Sequence, residues 1–351
     1  MTKTKKEETN MTTSKVVRDF AKNVLDEENF SLGNAIPVEN VVFVPILKEE
    51  TSREERDYLT VDEALNENVL KIVDKGTEIA HLIVTNEADL PVLIEEGEVF
   101  EGQGTQDRIV VGTVVIQPKT TVEIPVKCVH APHPLATNAQ FRTSSGKGSR
   151  SMLRKMRSMK YQAAQSFAST AHISQGEVWD SVAEETATEN VRDSSRYKEA
   201  MEQRLKRAKK RKIEFPKNTI GFIAVSEEDK LLAMELHRTP RAFKRRRDSI
   251  IVSVEKEIKE GVKPVPKEQA SKKSREVLQK LATIDEEQVQ SQIEVDGLLL
   301  NLPGGMQGEY TVNKFYSAVC PKCGVKKPRV EVCPECGFEE EAVDKLMHFS
   351  I

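Results

Sequence analysis

Residues 109–129 read IVVGTVVIQPKTTVEIPVKCV, and this stretch does most to decide the fold class. Val and Ile dominate its first part, Gln117-Pro118-Lys119-Thr120 supplies turn residues, and apolar and polar side chains alternate from Val122 onward. β-Branched residues favour strands, and alternation with a period of two is typical of a strand with one buried face. Because so short a connection joins antiparallel neighbours, the stretch predicts two antiparallel strands, Ile109–Ile116 and Val122–Val129.

Similar patterns extend this prediction over residues 36–130. Four further strand candidates precede the quoted stretch, namely Val41–Leu47, Val69–Val73, Ile79–Val84 and Leu90–Ile94. One short helix interrupts them, because Thr60 can cap it and Asp62 and Glu63 lie in its first turn. With short connections and a single helix among the strands, we expect an α+β protein whose N-terminal half is a mostly antiparallel β-sandwich or a barrel-like sheet.

The sequence as a whole divides into four predicted regions. Residues 1–35 comprise a disordered tail over 1–12 and a short amphipathic helix capped by Thr13 or Ser14. Residues 36–260 form the main α+β domain; its middle part, 143–212, is helical after a flexible lead, Ser144–Ser149. Residues 261–273 form a linker or exposed loop, and 274–351 form a C-terminal segment that begins with a short helix.

Four of the five cysteines form two Cys-Pro-x-Cys-Gly turns near the C-terminus. Cys320 pairs with Cys323 and Cys333 with Cys336, and nine residues separate the turns. Four thiolates suit Zn²⁺ and leave no open coordination position, so we expect a small structural zinc ribbon at about 317–340. A rubredoxin-type iron site and two disulfides are the alternatives. Few aromatic residues surround the turns, and no signal peptide is recognisable, which disfavours both.

The formal net charge of −3 hides an asymmetry. Residues 36–128 hold 19 acidic and 8 basic side chains, a balance of −11, so the remainder carries +8. The positive charge is concentrated in three basic blocks, Arg142–Lys160, Lys206–Lys212 and Arg241–Arg247. Clustered cations gain free energy by releasing counterions from nucleic acid, so the blocks predict contact with RNA or a ribonucleoprotein. The alternatives are solvated helix faces and docking of the blocks on the acidic N-terminal half.

Several short motifs, taken in order, resemble the ARG and rhodanese-phosphatase-superfamily-associated protein domain family. They are Leu59–Leu65, Pro91–Glu98, Gly104–Arg108, Ile124–Val129, Arg142–Ser145, Gln175–Val182 and the hairpin from Gly221 to Glu235. The resemblance covers about residues 38–260 and extends to the last strand, Leu346–Phe349. It implies an α+β fold without an assigned reaction. A genomic association with ADP-ribosylglycohydrolase and phosphatase-like genes implies a role in NAD or ADP-ribose metabolism.

The resemblance also bears on single residues. The family pattern includes the Gln and Arg that match Gln106 and Arg108. This chain departs from the pattern at Asp107, where the family usually has Asn, and at His130, where it usually has Glu. The cysteine turns are an addition to the family domain.

The Gly-rich acidic loop EEGEVFEGQGTQDR, residues 95–108, is the main candidate for a ligand or catalytic site. Glycines permit close backbone approach, an Arg binds phosphate or carboxylate bidentately, and a Gln can read a base or amide edge. The candidate residues are Glu98, Gln106, Asp107, Arg108 and, from a later loop, His130. The structural alternative is a bulged hairpin in which Arg108 pairs with Glu96 or Glu98.

Cys128, His130 and His133 form a weaker candidate metal site. Ile124, Val126 and Cys128 share one face of a strand, so the sequence favours an ordinary buried thiol at Cys128.

Two functions remain open at this point. The sequence favours a cytoplasmic zinc-ribbon binding module that contacts nucleic acid, a ribonucleoprotein or protein. The alternative is an enzyme or ligand-handling protein of NAD, ADP-ribose or related nucleotide metabolism that uses Gln106 and Arg108. The chain has no hydrolase elbow, dinucleotide fingerprint, kinase motif or zinc-protease helix, and no apolar run long enough to span a bilayer.

Overall fold

The structure, a computed structural model, describes fifteen segments of the chain. These are residues 3–27, 29–49, 58–76, 78–130, 135–166, 168–189, 191, 196–227, 230–237, 239–292, 294–302, 305–315, 320–327, 332–339 and 344–351. Within them the fold is mixed α+β with mostly antiparallel sheets, which confirms the predicted class.

The described residues contain seven α-helices and three short 3₁₀ turns. The helices are α1 (Lys3–Leu25), α2 (Val61–Asn66), α3 (Arg150–Gln165), α4 (Gln175–Ala187), α5 (Tyr197–Arg211), α6 (Pro240–Val254) and α7 (Lys267–Leu281), and the 3₁₀ turns are Thr170–His172, Glu255–Glu257 and Glu286–Gln288. None of these helices combines the length and the hydropathy that a bilayer crossing requires.

Eighteen strands are present in the same segments. They are β1 (Phe30–Leu32), β2 (Ile36–Val38), β3 (Val41–Lys48), β4 (Leu59–Thr60), β5 (Leu70–Lys75), β6 (Glu78–Asn86), β7 (Val92–Ile94), β8 (Glu98–Gly102), β9 (Arg108–Val110), β10 (Val114–Ile116), β11 (Thr120–Cys128), β12 (Phe141–Lys147), β13 (Thr219–Val225), β14 (Leu231–His237), β15 (Val289–Ser291), β16 (Gly297–Leu302), β17 (Met306–Phe315) and β18 (Asp344–Ser350).

Six strands of the N-terminal half form a sheet that curls almost into a barrel. Their order is β12-β8-β9-β11-β6-β5, and all of these ladders are antiparallel. The two ends of the sheet approach each other, since Val73 of β5 forms a bridge with Gln140, next to β12, and the Asp74 N–H donates to Ala139 O at 3.0 Å. Phe100 and Val126 belong to the apolar core of this half.

The larger sheet has nine strands and helices on both faces. Its order is β1-β3-β13-β14-β18-β17-β16-β15, with β2 paired to β3. Alternate residues of β3 point to opposite faces. Val44 packs in a core that includes α1 and α7, and Phe43 packs in a core that includes α6. A strand buried on both faces explains the continuous apolar run that predicted it.

The short helix α2 forms as the sequence predicts. The Thr60 side chain accepts a hydrogen bond from the Glu63 N–H, and the Glu63 carboxylate accepts one from the Thr60 N–H at 3.0 Å. This reciprocal capping satisfies two donors that the first turn of a helix leaves without intrahelical partners.

The predicted single strand Ile109–Ile116 was wrong, because the chain changes sheets within it. β9 pairs with β8 and β11, whereas β10 pairs with β7 in a separate three-stranded sheet. Gly112 lies between the two strands, and a Cβ on it would be 2.5 Å from Cγ1 of Val295. A side chain at this position would therefore prevent the close packing of Val295 on the chain. A run of β-branched residues contains no signal that shows where the chain passes from one sheet to another.

Three predicted boundaries also differ from the structure. Helix α1 begins at Lys3, within the predicted tail and ten residues before Thr13. The predicted flexible lead begins within β12, which pairs with β8 and ends at Lys147. Helix α7 begins at Lys267, inside the predicted linker 261–273. In each case polar composition favoured a loop, whereas helix or strand contacts with neighbouring elements decide the local structure.

Candidate functional site

The four cysteine thiols predicted as metal ligands lie together. Their Sγ atoms are all within 4.8 Å of one another, with 3.7 Å between Cys320 and Cys336 and 3.8 Å between Cys323 and Cys333. A tetrahedral site with Zn–S distances of about 2.3 Å has S–S edges of about 3.8 Å. None of the four forms a disulfide. The arrangement therefore fits one tetrahedral metal ion, although it does not identify the metal.

Backbone hydrogen bonds hold both cysteine turns in the same conformation. In the first turn the Cys320 N–H donates to Val325 O, and the Gly324 N–H donates to Cys320 O, each at 2.9 Å. The second turn repeats this pattern around Cys333, with Gly337 in the place of Gly324. Both glycines have positive φ, 71° and 66°, which glycine adopts without steric cost.

The cysteine turns lie in the connection between β17 and β18. These strands pair along their length, from Glu309 opposite Ser350 to Phe315 opposite Asp344, and β18 also pairs with β14. β18 is thus the strand that joins the β13–β14 part of the large sheet to the β15–β17 part. A metal ion in this connection would shorten the loop that folding must order, so metal binding would stabilise the junction.

A second feature is a set of charged side chains sealed inside the protein. We call the following ten residues the buried ion cluster: Glu95, Glu96, Glu98, Lys147, Arg150, Arg157, Lys160, Glu235, Arg246 and Glu309. Their side chains are at most 5% exposed. The set has five carboxyl groups and five basic side chains. A buried charge is costly unless it is paired, so each buried cation of the cluster needs a carboxyl group beside it.

Glu96 anchors helix α3 within the cluster. Its Oε2 accepts from Arg157 Nε at 2.8 Å and Nη2 at 2.6 Å, and its Oε1 accepts from Lys160 Nζ at 2.5 Å. Lys160 also donates to Glu309 of β17 at 2.6 Å. Burial acts against ionisation of Glu309, but Lys160, Thr113 and Arg157 together outweigh it and lower the pKa of Glu309 to about 2. The pairs join α3 to the β7–β8 turn and to the large sheet.

Glu95 and Glu98 anchor helix α6 in the same way. Both accept from Arg246, at 3.0 Å from Nη2 to Glu95 and 2.5 Å from Nη2 to Glu98, and Asp62 lies 3.6 Å from Nη1. Burial raises the pKa of Glu98 to about 8; Arg246 opposes this shift, and Glu95 and Asp62 add to it. The same negative neighbours raise the pKa of Arg246. Burial opposes the shift of Arg246, and the carboxyl groups around the guanidinium outweigh it.

Four of the five predicted site residues lie near one another, and Glu98 does not join them. Gln106, Asp107 and Arg108 follow one another into β9, and His130 follows β11, where Cys128 is opposite Arg108. Glu98, at the other end of β8, belongs to the buried ion cluster instead.

Arg108 is wholly buried and engaged inside the protein. Its Nη1 donates to Gln106 O at 2.6 Å, and its Nη2 lies 3.4 Å from Asp74 Oδ1. The predicted ion pair of Arg108 with Glu96 or Glu98 was therefore wrong. Glu96 binds cations of α3, and Glu98 binds a cation of α6. Asp107 accepts from Arg196 Nε at 3.0 Å.

Cys128 is the buried thiol that strand alternation predicted. It has no exposed surface, and its Sγ donates to His130 O at 3.3 Å. Burial raises the pKa of the thiol, and a neutral thiol is a poor metal ligand and a poor nucleophile. His133, the third member of that candidate site, lies outside the described residues.

The three basic blocks have different environments. In the first block, Arg142–Lys160, four of seven cations belong to the buried ion cluster. Arg157 and Lys160 bind Glu96 of the acidic N-terminal half, as the docking alternative expected. The second block divides by residue type, since Arg207 pairs with Glu189 and Glu255, and Arg211 pairs with Glu255.

Six cations of the second and third blocks are exposed and form no ion pair within the described part of the chain: Lys206, Lys209, Lys210, Lys212, Arg241 and Lys244. A groove of about 350 Å³ lies beside them, between α5 and α6. Its apolar lining is Leu205, Ala208, Ile213 and Ile251. Its charged lining is Lys209, Lys212, Glu214, Arg247 and Asp248. We call this feature the α5–α6 groove.

Comparison with known families agrees with the fold. Residues 29–308 match ARPP-1, the ARG and Rhodanese-Phosphatase-superfamily-associated Protein domain. The match spans 280 residues, 29 to 308 inclusive, of 351, so the chain belongs to this family. It extends beyond the predicted 38–260 at both ends and stops before the four cysteines and before the last strand, Leu346–Phe349. No curated protein and no solved structure matches the chain.

The sequence reasoning did not single out Glu235 or Glu309 as members of a charged cluster. Glu235 is the one charged residue in the strand sequence LLAMELH, and it pairs with Arg150 inside the protein. A single charge in an otherwise apolar strand is the signal that could have identified it, because such a charge requires a buried partner.

Replacing Glu96 tests the energetic role of the buried ion cluster. Glu96→Gln leaves Arg157 and Lys160 buried with less neutralising charge, and we expect the free energy of unfolding to fall by about 3–5 kcal/mol. Glu184→Gln is the matched control, since Glu184 pairs with Lys155 of the same helix but the two side chains are 64% and 49% exposed. The control should cost less than about 1 kcal/mol. Urea unfolding of both variants measures the difference, and equal losses would contradict the account.

Glu98 should make stability depend on pH. Its pKa is about 8 in the folded protein and 4.5 ordinarily, so the folded state holds an extra proton between these values. The contribution of this proton to the free energy of unfolding is complete below pH 4.5. It falls by at most about 1.4 kcal/mol per pH unit as the pH rises from 4.5 and is lost once the pH has passed 8. Glu98→Gln should flatten this slope in urea unfolding at several pH values. The same slope in variant and wild type would contradict the assignment.

Proposed function

We propose that the protein is a binding module that contacts RNA through the exposed face formed by the end of α5 and the start of α6. The observation that carries this proposal is the set of six exposed cations without ion pairs, brought together from two basic blocks that are distant in sequence. Such a set gains affinity for a polyanion by counterion release.

Helix electrostatics supports an external partner for part of this face. Lys209 and Lys210 lie in the last turn of α5, where cations complement the helix dipole without any ligand. Arg241 and Lys244 lie at the start of α6, where cations oppose the dipole, and the first turn of α6 contains no acid. Cations that do not stabilise their own helix are better explained by an anionic partner.

We also propose that the four cysteines hold a structural Zn²⁺. The support is the fit of the four thiols to one tetrahedral ion and the position of the turns at the β17–β18 junction. A full set of protein ligands supplies rigidity and no open position for a substrate. Free thiols at such a site require a reducing compartment, so we place the protein in the cytoplasm.

The alternative, a ligand-handling role in NAD or ADP-ribose metabolism, ranks second. Its support is the proximity of Gln106, Asp107, Arg108 and His130. The environment of Arg108 is the argument against it. The side chain has no exposed surface, and it already binds Gln106 O and Asp74. An Arg that recognises an external phosphate would need its donors free.

Elemental analysis tests the metal proposal. Reductively purified protein should contain about one zinc per chain. Cys323→Ser combined with Cys336→Ser removes one ligand from each turn and should abolish metal binding and lower the melting temperature, because binding energy is folding energy at such sites. Cys128→Ala should keep the metal. A wild-type protein without stoichiometric metal, or an unchanged melting temperature in the double variant, would overturn the proposal.

Salt-dependent RNA binding tests the main proposal. Affinity for a single-stranded RNA should fall steeply with salt, and changing Lys206, Lys209, Lys210 and Lys212 to Gln should weaken binding and reduce the log–log salt slope by about two to three. The control changes Lys263, Lys267, Lys272 and Lys280 to Gln; these are also exposed, and the net charge changes equally. The control should bind as the wild type does. A flat salt response, or equal losses in the two variants, would refute RNA binding through this face.

A further inference from the structure

We propose that the α5–α6 groove holds one base of a single-stranded RNA, so that the protein binds single strands in preference to duplexes. This inference rests on the proposed function and adds to it the form of the RNA. Three properties of the groove support it: its size, its apolar floor and the arrangement of charges at its rim.

The floor of the groove suits a flat apolar face and not a phosphate. The groove has a volume of about 350 Å³, and its apolar lining residues are buried or half-buried, whereas most of its charged lining residues are exposed. The apolar side chains, those of Leu205, Ala208, Ile213 and Ile251, therefore form the floor. The phosphate backbone gains nothing from an apolar floor, whereas an unstacked base buries its face there. Bases in a duplex are stacked and paired, and side chains cannot read the narrow major groove of A-form RNA. Only a strand whose bases can be splayed out can fill this groove.

The rim places cations where the backbone of such a strand would run. Lys209 and Lys212 stand on the α5 side. On the α6 side Arg247 donates from Nε to Asp248 Oδ1 at 3.0 Å, so its Nη groups and the second oxygen of Asp248 are what the groove offers a ligand. Lys212 ends α5 in a left-handed conformation, with φ 47° and ψ 49°, and the chain turns there so that Ile213 contributes to the groove. A base on the floor would therefore contact apolar side chains, and the phosphates on either side of it would contact the cations of the rim.

Two carboxylates in the lining favour some bases over others. Glu214 and Asp248 repel phosphate, so they argue against a backbone seated in the groove itself. They can accept hydrogen bonds from exocyclic amino groups, which cytosine and adenine have and uracil lacks. We therefore expect oligo(C) and oligo(A) to bind more tightly than oligo(U).

Fluorescence anisotropy with labelled oligonucleotides tests the inference. The probes are oligo(C), oligo(A) and oligo(U) of one length and a duplex RNA of that length. Wild-type protein should bind oligo(C) and oligo(A) about tenfold more tightly than the duplex. Ala208→Phe fills the groove while every cation remains, and it should remove this preference without changing the affinity for duplex. Ala183→Phe, at an exposed position of α4, is the control and should bind as the wild type does.

A second variant guards against a folding defect in Ala208→Phe. Glu214→Ala combined with Asp248→Ala removes both acceptors and should abolish the preference for oligo(C) over oligo(U), while the loss of two negative charges tightens binding of all probes. Equal binding of single strands and duplex, with no effect of either variant on preference, would overturn the inference but leave RNA binding intact. Wild-type protein that binds none of the probes would overturn the proposed function itself.

Discussion

The turn between β7 and β8 determines where helices α3 and α6 pack against the sheets. It buries three carboxylates within four residues, Glu95, Glu96 and Glu98. Carboxylates at such positions require cations from elsewhere in the chain, and α3 and α6 supply Arg157, Lys160 and Arg246. The positions of these two helices against the sheets therefore follow from charge neutralisation as well as from apolar packing.

The turn also permits a close approach of the chain. Gly97 has φ +81°, its carbonyl oxygen accepts from the Gly148 N–H at 2.7 Å, and a Cβ on it would lie 2.5 Å from a Leu153 side-chain carbon. Any other residue would push the start of α3 away. A glycine at this point is thus part of the same constraint, since the ion pairs of α3 need this short distance.

The internal use of arginines decides which cations remain exposed. In α5, Arg204, Arg207 and Arg211 pair with Glu185, Glu189 and Glu255 on one side of the helix. The lysines of the same block point to solvent. A guanidinium is less strongly hydrated than an ammonium and makes several directed bonds, so arginine suits the buried side and lysine the exposed side. The spacing of the arginines, at 204, 207 and 211, marks one face of a helix and was visible in the sequence.

Local features of the sequence predicted local structure well. The capping box of α2, most of the antiparallel strands before residue 109 and the cysteine turns all depend on neighbouring residues. The pairing of charges could not be predicted in this way. Glu96 meets Lys160 and Arg157 more than sixty residues along the chain, Glu309 meets Lys160 at a separation of 149, and Arg108 meets Asp74 at 34. Such pairs leave no periodic pattern, so a block of basic residues looks the same whether it faces RNA or a buried glutamate.

Native-state hydrogen exchange, measured for each residue in increasing denaturant, shows directly whether the buried ion cluster makes the elements that it joins open together. If the buried ion cluster joins α3, α6, β8 and β17 into one unit, the slowest amides of all four elements should exchange with one common free energy of opening, close to that of global unfolding. Exchange of α3 or α6 at a clearly lower free energy than β8 and β17 would show that the helices open independently, and it would contradict the account.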